Sequence, residues 1–262
     1  MPLLCSRPLH SLQVLLALFL CLAAPAVPAA EVRVAVAANF RAPLQALADG
    51  FTLSTGHTLA LSSGSTGRFG VQIRNGAPFE VLLSADAHLP EQLEREGLAV
   101  RGTRFTYAIG RLVLWSPKAG LVDPDGAVLG SGNWAHLAVA NAGLAPYGAA
   151  AVQVLNALGL EARLRERFVQ GEDIGQTFQF VASGNADLGF VALSQVPRSG
   201  STLQGSSWVV PQTLYAPLRQ DAVLLKPGRD KPAAQALLRY LRSPEARAQI
   251  AALGYGLPDA EH

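Results

Sequence analysis

Nearly uninterrupted apolar runs alternate with helical spacings along this chain, and the alternation predicts its elements. Val32–Val36 carries a single charge, at Arg33, which is typical of a strand buried on both faces. Asn39 is the expected N-cap of the helix that follows. That helix is predicted from apolar residues at every third or fourth position, namely Phe40, Leu44, Leu47, Ala48 and Phe51. Repeated as β-α-β-α-β-α, the pattern predicts an α/β fold with mostly parallel sheets covered by helices.

The same criteria predict the remaining elements and divide the chain into two lobes. The other predicted strands are Thr58–Leu61, Glu80–Leu83, Leu137–Ala140, Phe168–Gln170 and Asp187–Leu193. The other predicted helices are Phe69–Ile73, Pro90–Glu96, Ala149–Leu158, Gln176–Ser183, Ala233–Leu241 and Glu245–Leu253. Two long apolar runs, Tyr107–Ser116 and Leu218–Leu225, are expected to cross between the lobes. Lobe I is therefore predicted as residues 31–108 with 218–262, and lobe II as residues 109–217.

Residues 1–30 have the pattern of a secretory signal peptide. Arg7 supplies a short basic head, Ser11–Ala24 is an apolar run, and the small residues Ala29 and Ala30 are suited to cleavage. The apolar run is too short for a stable membrane span, although an uncleaved anchor is the alternative. We therefore expect an exported protein from which residues 1–30 are removed.

Composition narrows the chemistry of the mature chain. Both cysteines, Cys5 and Cys21, lie in the leader, so we expect no disulfide, thiolate nucleophile or cysteine metal site. The formal charge of +2 falls to +1 once Arg7 is removed, and no basic run predicts binding to nucleic acid or to a membrane surface. No histidine falls in a metal-binding spacing, so neither a side-chain metal site nor a cofactor is predicted.

Four predicted helix starts follow directly on predicted strands. They lie at Asn39, Thr66, Tyr147 and Ile174, two in each half of the chain. A helix start presents free backbone N–H groups and the positive end of the helix dipole, so it attracts an anion without a basic side chain. The sequence therefore predicts a cleft that holds a small oxyanion from both sides.

A secreted hydrolase is the alternative from a different class. It would use Ser65 or Thr66 as nucleophile with His88 or Asp86 as base. Gly64–Gly67 differs from the nucleophile elbow because a threonine stands at its centre. Asp86 follows a predicted strand, where an aspartate more often caps the next helix than acts as a base.

Several segments, in this order, resemble the periplasmic molybdate-binding proteins. They are Val34–Phe40, Ser62–Gly67, Gln72–Pro78, Phe79–Asp86, Ala145–Gly148 and Ala186–Ala192, and the likeness covers essentially the whole mature chain. The resemblance implies a two-lobed type II periplasmic binding protein fold joined by two crossover strands. It also implies high-affinity binding of molybdate or tungstate in the periplasm, delivery to the membrane permease of an ABC importer, and no enzymatic activity.

The resemblance also implies which residues contact the oxyanion. Ala38 and Asn39 match the first ligand loop, Thr66 the hydroxyl of the second, and Tyr147 a tyrosine that closes over the ion. Ile174 matches a residue that donates its backbone N–H. The chain departs from the family at Ala38, where a serine or threonine is usual. It departs again at Ala192, where another branch of the family has a tyrosine.

Selectivity for molybdate and tungstate over other oxyanions is expected to come from the size of the ion and from uncharged hydrogen-bond donors. Molybdate and tungstate are larger than sulfate, and a rigid ring of donors leaves a smaller ion with stretched bonds. Arg68 and Arg74 flank the second loop but are expected to lie exposed on a helix. The alternatives are a sulfate or phosphate receptor of the same fold and a ligand-sensing domain of a transcription regulator. We expect a monomer whose lobes close like a hinge around the ion.

Overall fold

The structure, a computed structural model, describes residues 29–200 and 202–258. Residues 1–28 of the predicted signal peptide lie outside these ranges. Within them, no helix is both long and apolar enough to cross a membrane.

The elements of the first half alternate as the sequence predicted. In chain order they are β1 (Glu31–Ala37), a 3₁₀ turn (Ala38–Phe40), α1 (Arg41–Thr55), β2 (Thr58–Gly64), α2 (Thr66–Arg74), β3 (Val81–Leu83), α3 (His88–Arg95), β4 (Phe105–Gly110) and β5 (Leu112–Ser116). The apolar face predicted for the first helix is buried, because Phe40, Leu44, Leu47 and Phe51 are all 0% exposed. Each such side chain contributes roughly 1.5–3 kcal/mol when it leaves water.

The second half continues the alternation and ends with two helices. In chain order its elements are α4 (Val128–Ser131), β6 (Leu137–Ala140), α5 (Pro146–Ala157), α6 (Glu161–Leu164), β7 (Phe168–Gly171), α7 (Ile174–Ala182), β8 (Leu188–Ala192), β9 (Arg198–Ser199), β10 (Thr202–Leu203), β11 (Ser206–Val209), β12 (Leu218–Leu224), α8 (Pro232–Leu241) and α9 (Pro244–Ala252). Strand β6 coincides with its prediction, and most other elements differ from theirs by one to three residues at an end.

Each lobe is built on its own five-stranded sheet. The strand order is β2-β1-β3-β12-β4 in lobe I and β11-β5-β8-β6-β7 in lobe II. In lobe I, β12 pairs antiparallel with β3 and β4, whereas β1 pairs in parallel with β2 and β3. In lobe II, β5 pairs antiparallel with β8 and β11, whereas β6 pairs in parallel with β7 and β8. One strand in each sheet therefore runs against the other four, as expected for a mostly parallel sheet.

The reversed strand of each sheet arrives from the other lobe. Strand β5 enters lobe II directly after β4 of lobe I, with Arg111 alone between them. The apolar run Tyr107–Ser116 is thus two strands in two sheets and not one long strand. Its pattern is continuous because both halves are buried, each in its own sheet. The run Leu218–Leu225 also differs from its prediction, since β12 pairs only within lobe I and residues 210–217 make the second crossing.

Candidate functional site

The ends of several strands and the starts of the following helices meet in a small cavity between the lobes. About 200 Å³ of space lies between its walls, part of it open to solvent. Lobe I lines it with Ala37, Ala38, Asn39, Gly64, Ser65, Thr66 and Ala85, and lobe II with Ala145, Pro146, Tyr147, Asp173 and Ile174. All five residues predicted to contact the ligand are therefore brought to one cavity, from four separate loops.

The two lobes touch beside this cavity, so the cleft is closed. The backbone N–H of Gly67, in the first turn of α2, donates to the carbonyl of Leu144 at 2.9 Å. Arg68 and Glu172 approach across the cleft at 3.8 Å, with both side chains more than half exposed. An exposed pair of this kind contributes little, about 0–1 kcal/mol, so the backbone contact is the firmer link. Arg68 lies exposed, as predicted, and so does Arg74, which pairs with Glu96.

Asn39 does not act as the helix cap that the sequence predicted. It lies inside the 3₁₀ turn between β1 and α1, and its side chain is 1% exposed. Its Nδ2 donates to Oε1 of Gln220 at 2.9 Å and to the hydroxyl of Tyr255 at 3.1 Å. These partners turn the side chain inward, so the backbone of Ala38 and Asn39 is what the first loop offers to a ligand. No hydrogen-bond partner for Oδ1 of Asn39 exists among the described residues.

The second loop offers two hydroxyls, and they differ in what they already contact. Oγ1 of Thr66 accepts from the backbone N–H of Ala85 at 3.0 Å and lies 3.4 Å from the hydroxyl oxygen of Ser84, whose single proton is nearer to the Asp86 carboxylate, at 3.2 Å. The contact with Ala85 uses the oxygen as acceptor, so Thr66 can still donate its own proton. Oγ of Ser65 is buried in the cavity wall, and no described residue hydrogen-bonds it.

Ser65 is the functional candidate that the sequence prediction missed as a ligand contact. It occupies the N-cap position of α2, where a serine oxygen normally accepts an N–H of the first turn. Here it caps no N–H group of α2. A buried hydroxyl without a partner costs about 1–3 kcal/mol, and a bound anion would remove that cost. The strong cap preference of serine, directly before the predicted helix start at Thr66, was the available signal.

Among the described residues, no direct contact forms between the Ser65 or Thr66 hydroxyl and either proposed base, Asp86 or His88. Asp86 accepts from the backbone N–H of Leu89 at 2.9 Å, as the capping interpretation predicted, and its other close donor is Ser84. Burial raises the pKa of Asp86. His88 hydrogen-bonds Gln92, and neither Asp86 nor His88 is a partner of a site hydroxyl in the described chain. Without a base on the hydroxyl, the nucleophile would not be activated.

Tyr147 reaches the cavity from the first turn of α5. This helix starts at Pro146, earlier than predicted, because proline at the first position fixes φ and has no N–H to leave unpaired. The Tyr147 hydroxyl is buried and accepts from Nε2 of Gln220, on β12, at 3.0 Å. Burial raises the pKa of Tyr147 well above its usual value, so the hydroxyl stays neutral beside an anion. The backbone N–H of Tyr147 is one of those that a helix start leaves without an intrahelical partner.

Ile174 begins α7 and is 4% exposed. The carboxylate of Asp173 caps this helix and accepts from the backbone N–H groups of Gly175 at 2.8 Å and Gln176 at 2.9 Å. Asp173 does not cap the backbone N–H of Ile174, the residue before Gly175. This N–H group therefore lies at the cavity wall and can donate to a ligand. Gln195 donates to the carbonyl of Ile174 at 3.1 Å and holds the turn in place.

The cavity wall is neutral except for the capping carboxylate of Asp173. Among the described residues that line it, none is Arg, Lys or His. No group of three or more metal-ligating side chains occurs in the described part of the chain. The arrangement can therefore hold a small anion through N–H and O–H donors at helix starts, where the helix dipoles favour negative charge.

Both lobes line the cavity, and each sheet contains one strand that arrives from the other lobe. This arrangement defines a two-lobed solute-binding protein. Residues 32–256 match the family described as bacterial extracellular solute-binding protein. The chain belongs to this family.

Within the family, the chain is similar to proteins named for molybdate. It is 58% identical over 236 residues to molybdate-binding protein ModA of Azotobacter vinelandii, covering 90% of this chain and 94% of the relative. It is 50% identical over 240 residues to ModA of Rhodobacter capsulatus, covering 92% and 93%. The solved periplasmic molybdate-binding protein of A. vinelandii superposes with a TM-score of 0.85 at 46% identity, over 87% of this chain and 99% of that structure. The fold class and the resemblance predicted from the sequence are both confirmed.

Proposed function

We propose that this protein binds molybdate, and also tungstate, in the cavity between its lobes and delivers it to the membrane permease of an ABC importer. The observation that carries the proposal is a cavity without a basic side chain, formed at helix starts from both lobes, with the hydroxyl of Ser65 in its wall unpartnered among the described residues. High identity to molybdate-binding proteins over nine tenths of the chain supports the choice of ion.

The proposed donors are distributed over both lobes. Lobe I contributes the backbone at Ala38 and Asn39 and the hydroxyls of Ser65 and Thr66, and lobe II the backbone N–H groups of Tyr147 and Ile174. Since neither lobe alone can surround a tetrahedral ion, binding free energy is available in the closed state. The ion therefore shifts the population toward closure, which the permease would recognise.

Neutral donors also favour a fully deprotonated oxyanion. Phosphate is partly protonated near neutral pH, and a cavity that offers donors leaves its O–H unpaired. Sulfate carries the right charge but is smaller, so its oxygens cannot reach donors spaced for molybdate without stretched bonds. The large oxyanions therefore fit this cavity better than either competitor.

The remaining proposals concern the setting of the protein. Residues 1–30 direct it to the periplasm and are removed after Ala29 or Ala30. The mature protein acts as a monomer without a cofactor and without enzymatic activity, because its task is to capture and release an ion. Its macromolecular partner is the permease.

The mature protein is expected to melt at a higher temperature in the presence of molybdate or tungstate. At a ligand concentration one hundred times Kd, linkage adds about 2.7 kcal/mol to the free energy of unfolding. For a chain of this size, that corresponds to a rise in Tm of roughly 5–10 °C. Thermal melting with molybdate, tungstate, sulfate and phosphate measures it. A Tm that sulfate raises and molybdate leaves unchanged would contradict the proposal.

A further inference from the structure

Gln220 lies at the centre of a buried polar network between the two lobes. It is on β12, with its side chain 0% exposed. The pairing of β12 with β4 shifts register between Gln220 and Asp221, and an irregularity of this kind redirects a side chain. Gln220 itself pairs with Ala108 of β4, and the pairing of β12 with β3 begins two residues later, at Ala222.

The single amide group of Gln220 contacts one ligand loop of each lobe. Its Oε1 accepts from Nδ2 of Asn39, in the first loop of lobe I, at 2.9 Å. Its Nε2 donates to the hydroxyl of Tyr147, in the first turn of α5 in lobe II, at 3.0 Å. The amide thus joins the two loops at opposite walls of the cavity.

Neighbouring residues hold this amide in position. The Tyr107 hydroxyl donates to the same Oε1 at 3.0 Å and also lies 3.1 Å from the carbonyl of Ser84. Gly110, at the end of β4, leaves the space that the pair occupies. A Cβ at position 110 would overlap the Tyr147 hydroxyl and lie 2.6 Å from Nε2 of Gln220. The chain therefore keeps a glycine beside the crossing point of the lobes, where the amide meets Tyr147.

We propose that Gln220 is a positioning residue that sets the distance between the two ligand loops and thereby the size of oxyanion that the closed cavity accepts. The inference rests on the proposed function, since it concerns the selectivity of that same cavity. Gln220 does not line the cavity, so it acts through Asn39 and Tyr147. Without its amide, the first turn of α5 loses its fixed distance from the first loop. The spacing between the donors of the two loops is then no longer fixed at the value that suits a large ion. The preference of the cavity for molybdate over the smaller sulfate therefore falls.

Gln220→Met keeps the length of the side chain and removes the amide. We expect Kd for molybdate to rise roughly tenfold to a hundredfold, as for the loss of one or two buried hydrogen bonds. Kd for sulfate is expected to change less than about threefold, so the preference for molybdate falls by about tenfold. Isothermal titration calorimetry with both ions measures the ratio. Gln235→Met, the same change on the exposed face of α8, is the control and should leave the ratio unchanged.

A second variant keeps the test decisive if Gln220→Met does not fold. Tyr147→Phe removes the lobe II end of the link alone and should also lower the preference for molybdate by about tenfold. In the double variant, Tyr147→Phe should add less than about twofold to the effect of Gln220→Met, because both act through one contact.

The outcomes separate this inference from the proposed function. If the unmodified protein binds neither molybdate nor tungstate, the proposed function fails. If it binds them and the variants lower the affinities for molybdate and sulfate by the same factor, Gln220 only stabilises the fold and the positioning role is overturned. An unchanged affinity for both ions in a folded variant overturns it as well.

Discussion

Ser65→Asp is expected to abolish molybdate binding. The new carboxylate would stand in the cavity wall at the start of α2, where the unpartnered hydroxyl now lies. Two unit charges 4 Å apart repel by about 4 kcal/mol near a protein surface, and molybdate carries two charges. The affinity should therefore fall by roughly a thousandfold or more. The apo protein should be as stable as before or gain about 0.3–1 kcal/mol, because an acid at a helix start complements the dipole.

A matched control separates the position from the charge. Ser62→Asp makes the same change on β2 at an exposed site. We expect this control to bind molybdate within about twofold of the unmodified protein, since exposed charges are screened by salt. Titration calorimetry of both variants, with melting of the apo forms to establish folding, measures the difference. Tight binding retained by Ser65→Asp would show that this hydroxyl does not face the ligand.

Gly148→Ala is expected to lower the free energy of unfolding more than any other proposed variant. Gly148 lies in the first turn of α5, packed directly on the end of β6. A Cβ there would overlap the carbonyl oxygen of Ala140 and lie 2.7 Å from its carbonyl carbon. Backbone atoms cannot turn aside, so the helix start would have to move. We expect about 3 kcal/mol of destabilisation, or a fall in apo Tm of roughly 6–12 °C.

The same variant should weaken binding, because the displaced turn carries Tyr147. Gly130→Ala is the matched control, since it also replaces a helical glycine but its Cβ would meet only Arg163, at 4.0 Å. Alanine is the better helix former, so this control should melt at the same temperature or slightly higher. Thermal melting of the apo forms compares them. Equal melting temperatures for the two variants would mean that α5 can move off β6 at no cost.

The layered fold could be predicted because its strands are buried on both faces and its helices on one. Strand β6 and the buried face of α1 follow from that patterning alone. The break at Arg111 could not be predicted in the same way. Both flanking strands are equally apolar, and only their pairing in different sheets separates them.

The site could be predicted as a set of loops but not atom by atom. Helix starts attract an anion, so the loops at Thr66, Tyr147 and Ile174 were expected to face one cleft from both halves of the chain. Asn39 was taken for a cap because asparagine favours that position. Its true partners, Gln220 and Tyr255, lie 181 and 216 residues further along the chain. Contacts at such separations leave no local pattern in the sequence.

Each sheet contains one strand that arrives from the other lobe, and this arrangement also limits the order in which the two lobes can fold. Strand β4 pairs with β12 at the edge of its sheet, and β12 is made only after the whole of lobe II. A nascent chain that ends before Leu218 therefore holds an unfinished first lobe, with an open sheet edge next to β3. Pairings this distant in sequence form slowly. The first lobe can therefore complete its sheet only after lobe II has been made.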